Sequence, residues 1–402
     1  MSRWNILRGF SRYIKNYSKY IDFTLLITYI ILSFIGLVMV YSASMVAATK
    51  GTLTGGIPVS GTYFFVRQLL YCIVGFFIVF FMSYFMHINI LKNKRVQQIV
   101  IFTIFGLLVL TLLVGTTING AKSWINLGFM NLQASEILKV AMILYLSFII
   151  DKRRNRLKQF KLALMMPLFL IGTCIGLVLL QNDTGQALIL CMIVLCIFAY
   201  SGIGIKAIIK WSGPIFAGVV LLIIFSIVFK GGILSQHQAD RFHVLENPFN
   251  YESGIGYHLA NSLLAIGNGG LFGKGLGNGI MKLGYLPEPH TDFIFAVIAE
   301  ELGLVGVLFI IGLLGFIVYK GFLYAALTDS YFFKLVCVGI SSYIGIQTFV
   351  NLAGISGTIP LTGVPLPFMT FGGSSMLSLS IATGILLLTA KQIRIESRQR
   401  AR

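Results

Sequence analysis

Apolar residues run along this chain in stretches of about 20, the length needed to cross the hydrocarbon core of a bilayer as an α-helix. Ten such stretches lie near 23–45, 64–87, 98–115, 136–150, 162–180, 186–203, 212–230, 292–316, 332–352 and 372–390. The pattern predicts an all-α polytopic membrane protein with ten transmembrane helices. Four connections fall on one side, near 46–63, 116–135, 231–291 and 353–371, joined there by the short break "QNDTG" at 181–185. The connection between helices 7 and 8 is the largest, and loops of that length are usually functional or disordered. It is too apolar and Gly-rich for a disordered linker. Its runs "IGYHLANSLLAIG" and "LFGKGLGNGIMKLGYLP" predict a helix and re-entrant turns that lie on the bilayer or dip into it. No internal repeat is visible, and no inverted pair of broken helices of the transporter type.

Charge then orients the bundle. Only 11% of residues are charged and 57% are hydrophobic, whereas soluble domains carry roughly 25% charged residues. The net charge is +18 and is unevenly spread. Ten crossings put both termini on one side, and 22 of the 31 Lys and Arg residues fall there. They come from the N-terminal segment, "KNKR" at 92–95, "DKRRNRLKQFK" at 151–161, Lys206, Lys210, Lys320 and the C-terminal tail. By the positive-inside rule that side is cytoplasmic. The expected organisation is a cytoplasmic basic segment at 1–22, a ten-helix membrane domain at 23–390 and a cytoplasmic basic tail at 391–402. Nothing at the N-terminus resembles a cleaved signal peptide. The basic excess is thus a topology signal with some attraction to anionic membrane lipids, and no nucleic-acid partner is expected. All five cysteines fall inside apolar runs without metal-ligand spacing and read as small buried hydrophobes.

Charged residues in or beside the spans are costly and therefore carry the candidate chemistry. Seven of the thirteen acids fall on or near the outer face: Glu136, Asp183, Asp240, Glu246, Glu252, Glu288 and Asp292. Asp292 stands at the mouth of the eighth span in "LPEPHTDFIFAVIAEELG", where it can cap the first turn, act as a base, or both. Glu300 and Glu301 lie about 12–13 Å deeper and point about 100° apart. They are expected to face different surroundings and to pair with polar groups of neighbouring helices. In "NLQASEILKVA", Glu136 and Lys139 share one helix face. Two readings stand: a local ion pair that lets a charged helix enter the membrane, or a cation that Lys139 presents to a phosphate. Lys122 and Trp124 in "INGAKSWINLGF" read either as a membrane-seated loop or as a lipid-headgroup contact. The Gly-rich run "GNGGLFGKGLGNG" can place N–H groups around a diphosphate, with tight turns as the plainer reading. None of the histidines has metal-ligand spacing, and His290 is the one beside the candidate acid.

Four ordered stretches also carry a resemblance: "NGAKSWINLGFMNLQASEILKV", "QNDTGQALI", "YHLANSLLAIGNGGLFGKGLGNGIMKLGYLPEPHTDFIFAVIAEELG" and "GTIPLTGVPLPFMTFGGSSMLS". They are similar to the motifs of the SEDS family, the FtsW/RodA group of shape, elongation, division and sporulation proteins. The resemblance covers spans three to ten. It implies a ten-helix peptidoglycan glycosyltransferase that polymerises lipid II at the outer face of the bacterial cytoplasmic membrane during division or elongation. It also implies a class B penicillin-binding protein as partner, with other divisome or elongasome proteins. The family's essential acid in "HTDF" falls on Asp292, and its glutamate and lysine in "QxSExxK" fall on Glu136 and Lys139. Three motifs depart from the family. A "GARRW"-like basic pair reads "GAKSW" and keeps only Lys122; "W-x-DPF" reads "LENPF", with Asn247 in place of an acid; "GYQ" reads "GYH" at His258.

The chemistry this implies is economical. A β-1,4 link made from an α-linked donor requires inversion, so a single displacement suffices. A departing diphosphate needs positive charge rather than a proton. The minimum kit is therefore one carboxylate to deprotonate the acceptor 4-hydroxyl and one cation for the diphosphate. Asp292 is the expected base. Lys139, Lys122, Arg241 or a divalent cation (magnesium or manganese) is the expected counter-charge, with Glu136, Trp124 and His290 as further substrate-binding candidates. Two rival functions stand beside this one. A lipid flippase needs charges along the bilayer depth, and a non-catalytic scaffold needs no particular acid at Asp292. The chain has no nucleophile motif for peptide cross-linking, so a separate transpeptidase is expected to dock on it and reposition the 231–291 loop.

Overall fold

The computed structural model describes residues 17–118, 120–128, 130–156, 160–203, 248–250 and 255–400. The seventh predicted span at 212–230 and the stretch that follows it to 247, which holds Arg241, lie outside these described residues. In chain order the helices are α1 (Phe23–Thr49), α2 (Tyr63–Tyr84), α3 (Ile88–Leu91), α4 (Lys94–Val114), α5 (Ala134–Lys152), α6 (Phe160–Leu180), α7 (Thr184–Tyr200), α8 (Ile255–Gly269), α9 (Ile294–Leu327), α10 (Tyr331–Ile355) and α11 (Gly373–Arg400). Each predicted span except the seventh coincides with one of them. Among the described residues, six helices (α1, α2, α4, α9, α10 and α11) are long and apolar enough to cross a membrane, and Leu164–Leu180 and α7 are shorter apolar helices. The predicted helix in the long connection is α8.

Local signals set several helix starts. Asp22 accepts from Thr24 N (3.1 Å) at α1, Asn93 from Arg95 N (2.9 Å) at α4, and Asp183 from Gln186 N (3.3 Å) at α7. Burial then sorts the helices into layers. Helices α10 and α11 are buried over most of their length and form the centre. Helices α2, α4 and α9 leave Phe77, Phe81, Phe102, Leu113 and Phe309 more than half exposed. Bare apolar side chains of that size in such numbers are stable against lipid rather than water. Small residues let the central helices approach: a Cβ on Gly75 of α2 would fall 2.4 Å from Ser380 Oγ of α11, and one on Gly321 of α9 would fall 1.8 Å from Ser341 Oγ of α10.

The 116–135 connection, expected as a loop in an all-α chain, is an antiparallel meander of β1 (Thr116–Ile118), β2 (Ala121–Asn126) and β3 (Asn131–Gln133). Ile118 pairs with Ala121 across an Asn-Gly dipeptide, and Gly120 has φ +82°, the conformation a two-residue hairpin requires. Trp124 pairs with Gln133 and Asn126 with Asn131, which delivers β3 straight into α5.

The eighth predicted span is not one continuous helix. Helix α9 breaks at Gly303 (φ 65°, ψ −169°), leaving a short half at 294–302 and a long half at 304–327. A break at bilayer depth frees carbonyls and N–H groups that hydrocarbon cannot satisfy. The segment after α8 enters the gap and supplies them. Lys274 N donates to Glu300 O (2.9 Å) and Gly275 N to Glu301 O (3.0 Å), while Leu304 N donates to Gly270 O (3.0 Å) and Val305 N to Leu271 O (3.1 Å). A Cβ on Gly303 would lie 2.3 Å from Gly273 N, so the close approach and the positive φ both demand glycine.

Glu300 and Glu301, expected to face different surroundings, both serve this re-entrant loop. Glu300 accepts from Ile280 N (3.0 Å), Met281 N (3.1 Å) and Lys274 Nζ (3.2 Å). Glu301 accepts from Gly277 N (3.0 Å), Ser42 Oγ (2.8 Å) and Lys282 Nζ (2.5 Å). The loop folds around both faces of the half-helix, and the two carboxylates converge on Gly279, 3.0 and 3.1 Å from the Cβ it lacks.

The basic tail expected at 391–402 is no separate segment as far as Arg400, because α11 continues through it. Lys391 Nζ donates to Ser83 O (2.5 Å), and Arg394 donates to Ile21 O (2.9 Å) and pairs with Asp22 (3.0 Å). Asp22 also accepts from Lys320 Nζ (3.1 Å) and the Tyr324 hydroxyl. Burial opposes ionisation of Asp22, but the bonds from Thr24, Tyr324 and Lys320 and the Arg394 charge outweigh it and hold the carboxyl at about 2, below its ordinary 3.8.

A carboxyl depressed in the folded state contributes stability above its ordinary pKa and loses it as pH falls toward the folded value. Thermal stability of the solubilised protein is expected to drop between about pH 4 and pH 2, and Asp22→Asn to flatten that drop. An identical acid profile in the variant contradicts the assignment. For the splice, Gly303→Ala is expected to reduce folded yield sharply, whereas Gly312→Ala in the same helix, where a Cβ meets open space, is neutral or stabilising by about 0.5–1 kcal/mol. Equal yields and melting points for the two variants would show that the break is not held as described.

Candidate functional site

A cavity of about 860 Å³ opens between the β-meander, the N-terminal end of α2, the turn before α9 and the stretch joining α10 to α11. Its wall carries Ser123, Trp124 and Gln133 from the strands, Arg67 and Tyr71 from α2, Asp183 from the start of α7 and His258 from α8. Glu288, His290 and Asp292 come from the turn that enters α9.

That turn is fixed by its own bonds and by α10. Thr291 N donates to Glu288 O (3.1 Å) and Thr291 Oγ1 to Glu288 Oε2 (2.9 Å). Phe293 takes the N-cap position, so Asp292 stands one residue outside the helix rather than at the cap that the sequence allowed for it. The Asp292 carbonyl accepts from Asn351 Nδ2 of α10 (3.3 Å), and its Oδ2 lies 3.5 Å from where Gly363 would carry a Cβ. The residue is half-buried at the cavity wall.

The neighbours differ in charge. His290 is buried between the rings of Phe64 (4.5 Å) and Phe371 (5.5 Å). Burial pushes its imidazole down to about 4, so it is neutral at physiological pH. Burial also pushes the Asp183 carboxyl up, against hydrogen bonds from Gln186 N (3.3 Å) and Gln133 Nε2 (2.8 Å). Arg67 stacks on the Tyr63 ring at 4.3 Å and is the one Lys or Arg among the described residues of the wall. The arrangement can accept a proton at Asp292, hold an anion at Arg67 and offer neutral hydrogen-bonding groups between.

Of the seven residues that the sequence offers as base or substrate contact, the structure brings three into the wall, Asp292, Trp124 and His290, beside the outer-face acids Asp183 and Glu288 and His258. Lys122 is not in the wall; its Nζ donates to Leu113 O (3.0 Å). Glu136 and Lys139 are fully buried and also absent from the wall. Lys139 donates to Glu136 Oε1 (2.7 Å) and Gln347 Oε1 (2.7 Å) under the Tyr343 ring (4.7 Å), and Gln186 Nε2 donates to Glu136 Oε1 (2.8 Å). Two of the ammonium's three N–H groups are held by bundle side chains and the Tyr343 ring lies beside it, which is the geometry of a local buried pair. Arg241 lies outside the described residues. Among the described residues no group of three or more His, Cys, Asp or Glu side chains comes together as a metal site; a magnesium or manganese ion shared between one or two carboxylates and the substrate's phosphates needs no such group.

Sequence reasoning missed Arg67, Gln347 and Asn351. Arg67 had a signal: a guanidinium five residues into an apolar helix, away from the basic side of the bundle. Gln347 and Asn351 had a weaker one, two amides four apart in an apolar span.

The family model described as "Cell cycle protein", covering FtsW, RodA and SpoVE, matches residues 23–395. The chain is 39% identical over 375 residues to the Bacillus subtilis (strain 168) "Probable peptidoglycan glycosyltransferase FtsW", across 93% of this chain and 91% of that one. It is 35% identical over 390 residues to the Enterococcus hirae protein of the same name, across 95% of each. Among solved structures it matches a chain of the assembly described as "Structural coordination of polymerization and crosslinking by a peptidoglycan synthase complex", with TM-score 0.71 and 25% identity over 93% of this chain and 98% of that one. The Thermus thermophilus rod shape determining protein RodA matches with TM-score 0.63 and 25% identity, over 92% and 97%. This chain belongs to the FtsW/RodA/SpoVE family of cell cycle proteins.

Proposed function

We propose that the chain is a peptidoglycan glycosyltransferase that polymerises lipid II into glycan strands by inverting displacement of undecaprenyl diphosphate. The observation that carries this reading is the presence of the Asp292 carboxylate and the Arg67 guanidinium in one cavity wall. Asp292 takes the proton from the acceptor 4-hydroxyl as that oxygen attacks the anomeric carbon of the donor. The bond from that carbon to the diphosphate oxygen breaks with inversion, and Arg67 receives the developing negative charge. His290, neutral and buried, suits a sugar hydroxyl or acetamide, and Trp124 offers an apolar face to a sugar ring.

Membrane placement follows the same reading. The seventh span at 212–230 completes ten crossings, both termini are cytoplasmic, and the cavity opens on the outer side where lipid II is displayed. A class B transpeptidase partner supplies cross-linking, in keeping with the matched synthase assembly, whose description joins polymerization to crosslinking. A flippase is disfavoured by the pairing of the charges inside the bundle. Glu136 with Lys139, Glu300 with Lys274 and Glu301 with Lys282 are each closed on a partner, so among the described residues they form no open charged path.

Asp292→Asn is expected to keep folding and partner binding and to lower polymerisation by about 10²–10⁴, the usual contribution of a general base. Near-normal glycan from the purified variant, assayed with lipid II and the cognate transpeptidase, would end the base assignment. For the buried pair, Lys139→Met leaves Glu136 uncompensated and is expected to cost about 3–5 kcal/mol in stability, which Glu136→Gln in the same chain largely restores. The double variant is expected to keep the wild-type KM for lipid II. A KM raised many-fold in well-folded double variant would instead put Lys139 on the diphosphate.

A further inference from the structure

Residues 361–366 pass between α10 and α11 as a strap without regular secondary structure. It lines the cavity on one side, and where it packs on α10 its carbonyls need hydrogen-bond partners. Side chains of α10 provide two: Asn351 Nδ2 donates to Val364 O (2.7 Å) and Gln347 Nε2 to Pro365 O (2.9 Å). The two amides are four residues apart and therefore stack along one helix face. Both are buried, Asn351 at 3% and Gln347 at 0% exposure.

Each amide is tied a second time. Asn351 Nδ2 also donates to the Asp292 carbonyl (3.3 Å), so one side chain joins the strap to the turn that bears the carboxylate. Gln347 Oε1 accepts from Lys139 Nζ (2.7 Å), which Glu136 holds in place (2.7 Å). An ammonium can only donate. The Gln347 oxygen must therefore face Lys139, and its NH2 group is left to face Pro365. The strap is pinned from the far side as well, since a Cβ on Gly185 of α7 would fall 2.7 Å from Thr362 O. At its centre Gly363, with φ +68°, comes within 3.5 Å of Asp292 Oδ2 measured from its absent Cβ.

We infer that Gln347 and Asn351 are positioning residues for Asp292, which clamp the 361–366 strap against the carboxylate and so set the direction in which it meets the acceptor. The inference rests on the glycosyltransferase reading with Asp292 as base. It gives the buried Glu136–Lys139 pair a role at a distance from substrate: it orients the amide that holds the strap.

The test uses the full chain with its cognate transpeptidase, the transpeptidase serine blocked, and lipid II as substrate. Gln347→Met and Asn351→Ala are each expected to lower kcat about 10- to 100-fold per folded molecule with KM little changed, because a small misplacement of a reacting group carries such a penalty. Gly363→Ala, at an exposed position outside the buried ladder, moves the strap while leaving both amides intact and is expected to do the same. When Asn351→Ala is added to Asp292→Asn, the residual rate is expected to change by less than about twofold, because the amide acts only through the carboxylate. Wild-type kcat in folded Gln347→Met and Gly363→Ala, or a full multiplicative loss in the Asn351→Ala, Asp292→Asn double variant, overturns the inference. If Asp292→Asn is inactive while the strap variants run at wild-type rate, the base reading stands and only the positioning falls. An active Asp292→Asn overturns both.

Discussion

At bilayer depth no peptide group or charge can be left to water, and the break in α9 is where that constraint shapes this molecule most. Gly303 interrupts the helix, and the segment after α8 fills the gap with four backbone hydrogen bonds. Glu300 and Glu301 then hold the rest of the re-entrant loop through backbone N–H groups, two lysines and Ser42 of α1. The short half-helix this leaves is anchored at its deep end by the splice. At its other end is the turn that carries Glu288, His290 and Asp292. The acids that looked anomalous in an apolar span are thus the means by which a loop is built into the membrane domain.

The same rule separates charges closed inside the bundle from those at the cavity wall. The Glu136–Lys139 pair is sealed beneath Tyr343 and Gln347. Asp22 gathers Lys320, Tyr324 and Arg394 and ties the start of α1 to α9 and α11. In each cluster the donors and acceptors close on one another inside the fold. Arg67 and Asp292 both line the cavity, together with a histidine kept neutral by burial. The proposed chemistry, anion binding and proton acceptance, needs such groups beside open volume, and Glu136, Lys139 and Asp22 lie outside the cavity wall.

Much of this was legible in the sequence because the strongest signals there are also physical ones. Apolar runs located the helices that coincide with nine predicted spans, since hydrocarbon admits little else. Asp292, Trp124 and His290 were readable as polar or aromatic exceptions at the ends of such runs. The break at Gly303 was hidden, because a glycine amid Leu and Val looks like any packing glycine until the loop that fills the gap is seen. The β-meander was announced only by an Asn-Gly dipeptide in a stretch too short to show alternation. Lys139 could not be placed by sequence alone: three residues from Glu136, it suits a buried pair first and a ligand second, and Gln347 and Tyr343 from α10 define its surroundings. Arg67 gives only a weak signal, a single guanidinium near a helix start in a chain whose basic residues gather elsewhere.

The central claim is that lipid-linked sugar and acceptor meet in the cavity between Arg67 and Asp292. The most direct measurement is a cryo-electron microscopy structure of the inactive Asp292→Asn chain, bound to its transpeptidase and saturated with lipid II. The account predicts a diphosphate in contact with the Arg67 guanidinium, an acceptor 4-hydroxyl within about 3 Å of the residue 292 side chain, and Lys139 still closed on Glu136 and Gln347. Density for the diphosphate on Lys139, or for both sugars outside this cavity, would contradict it.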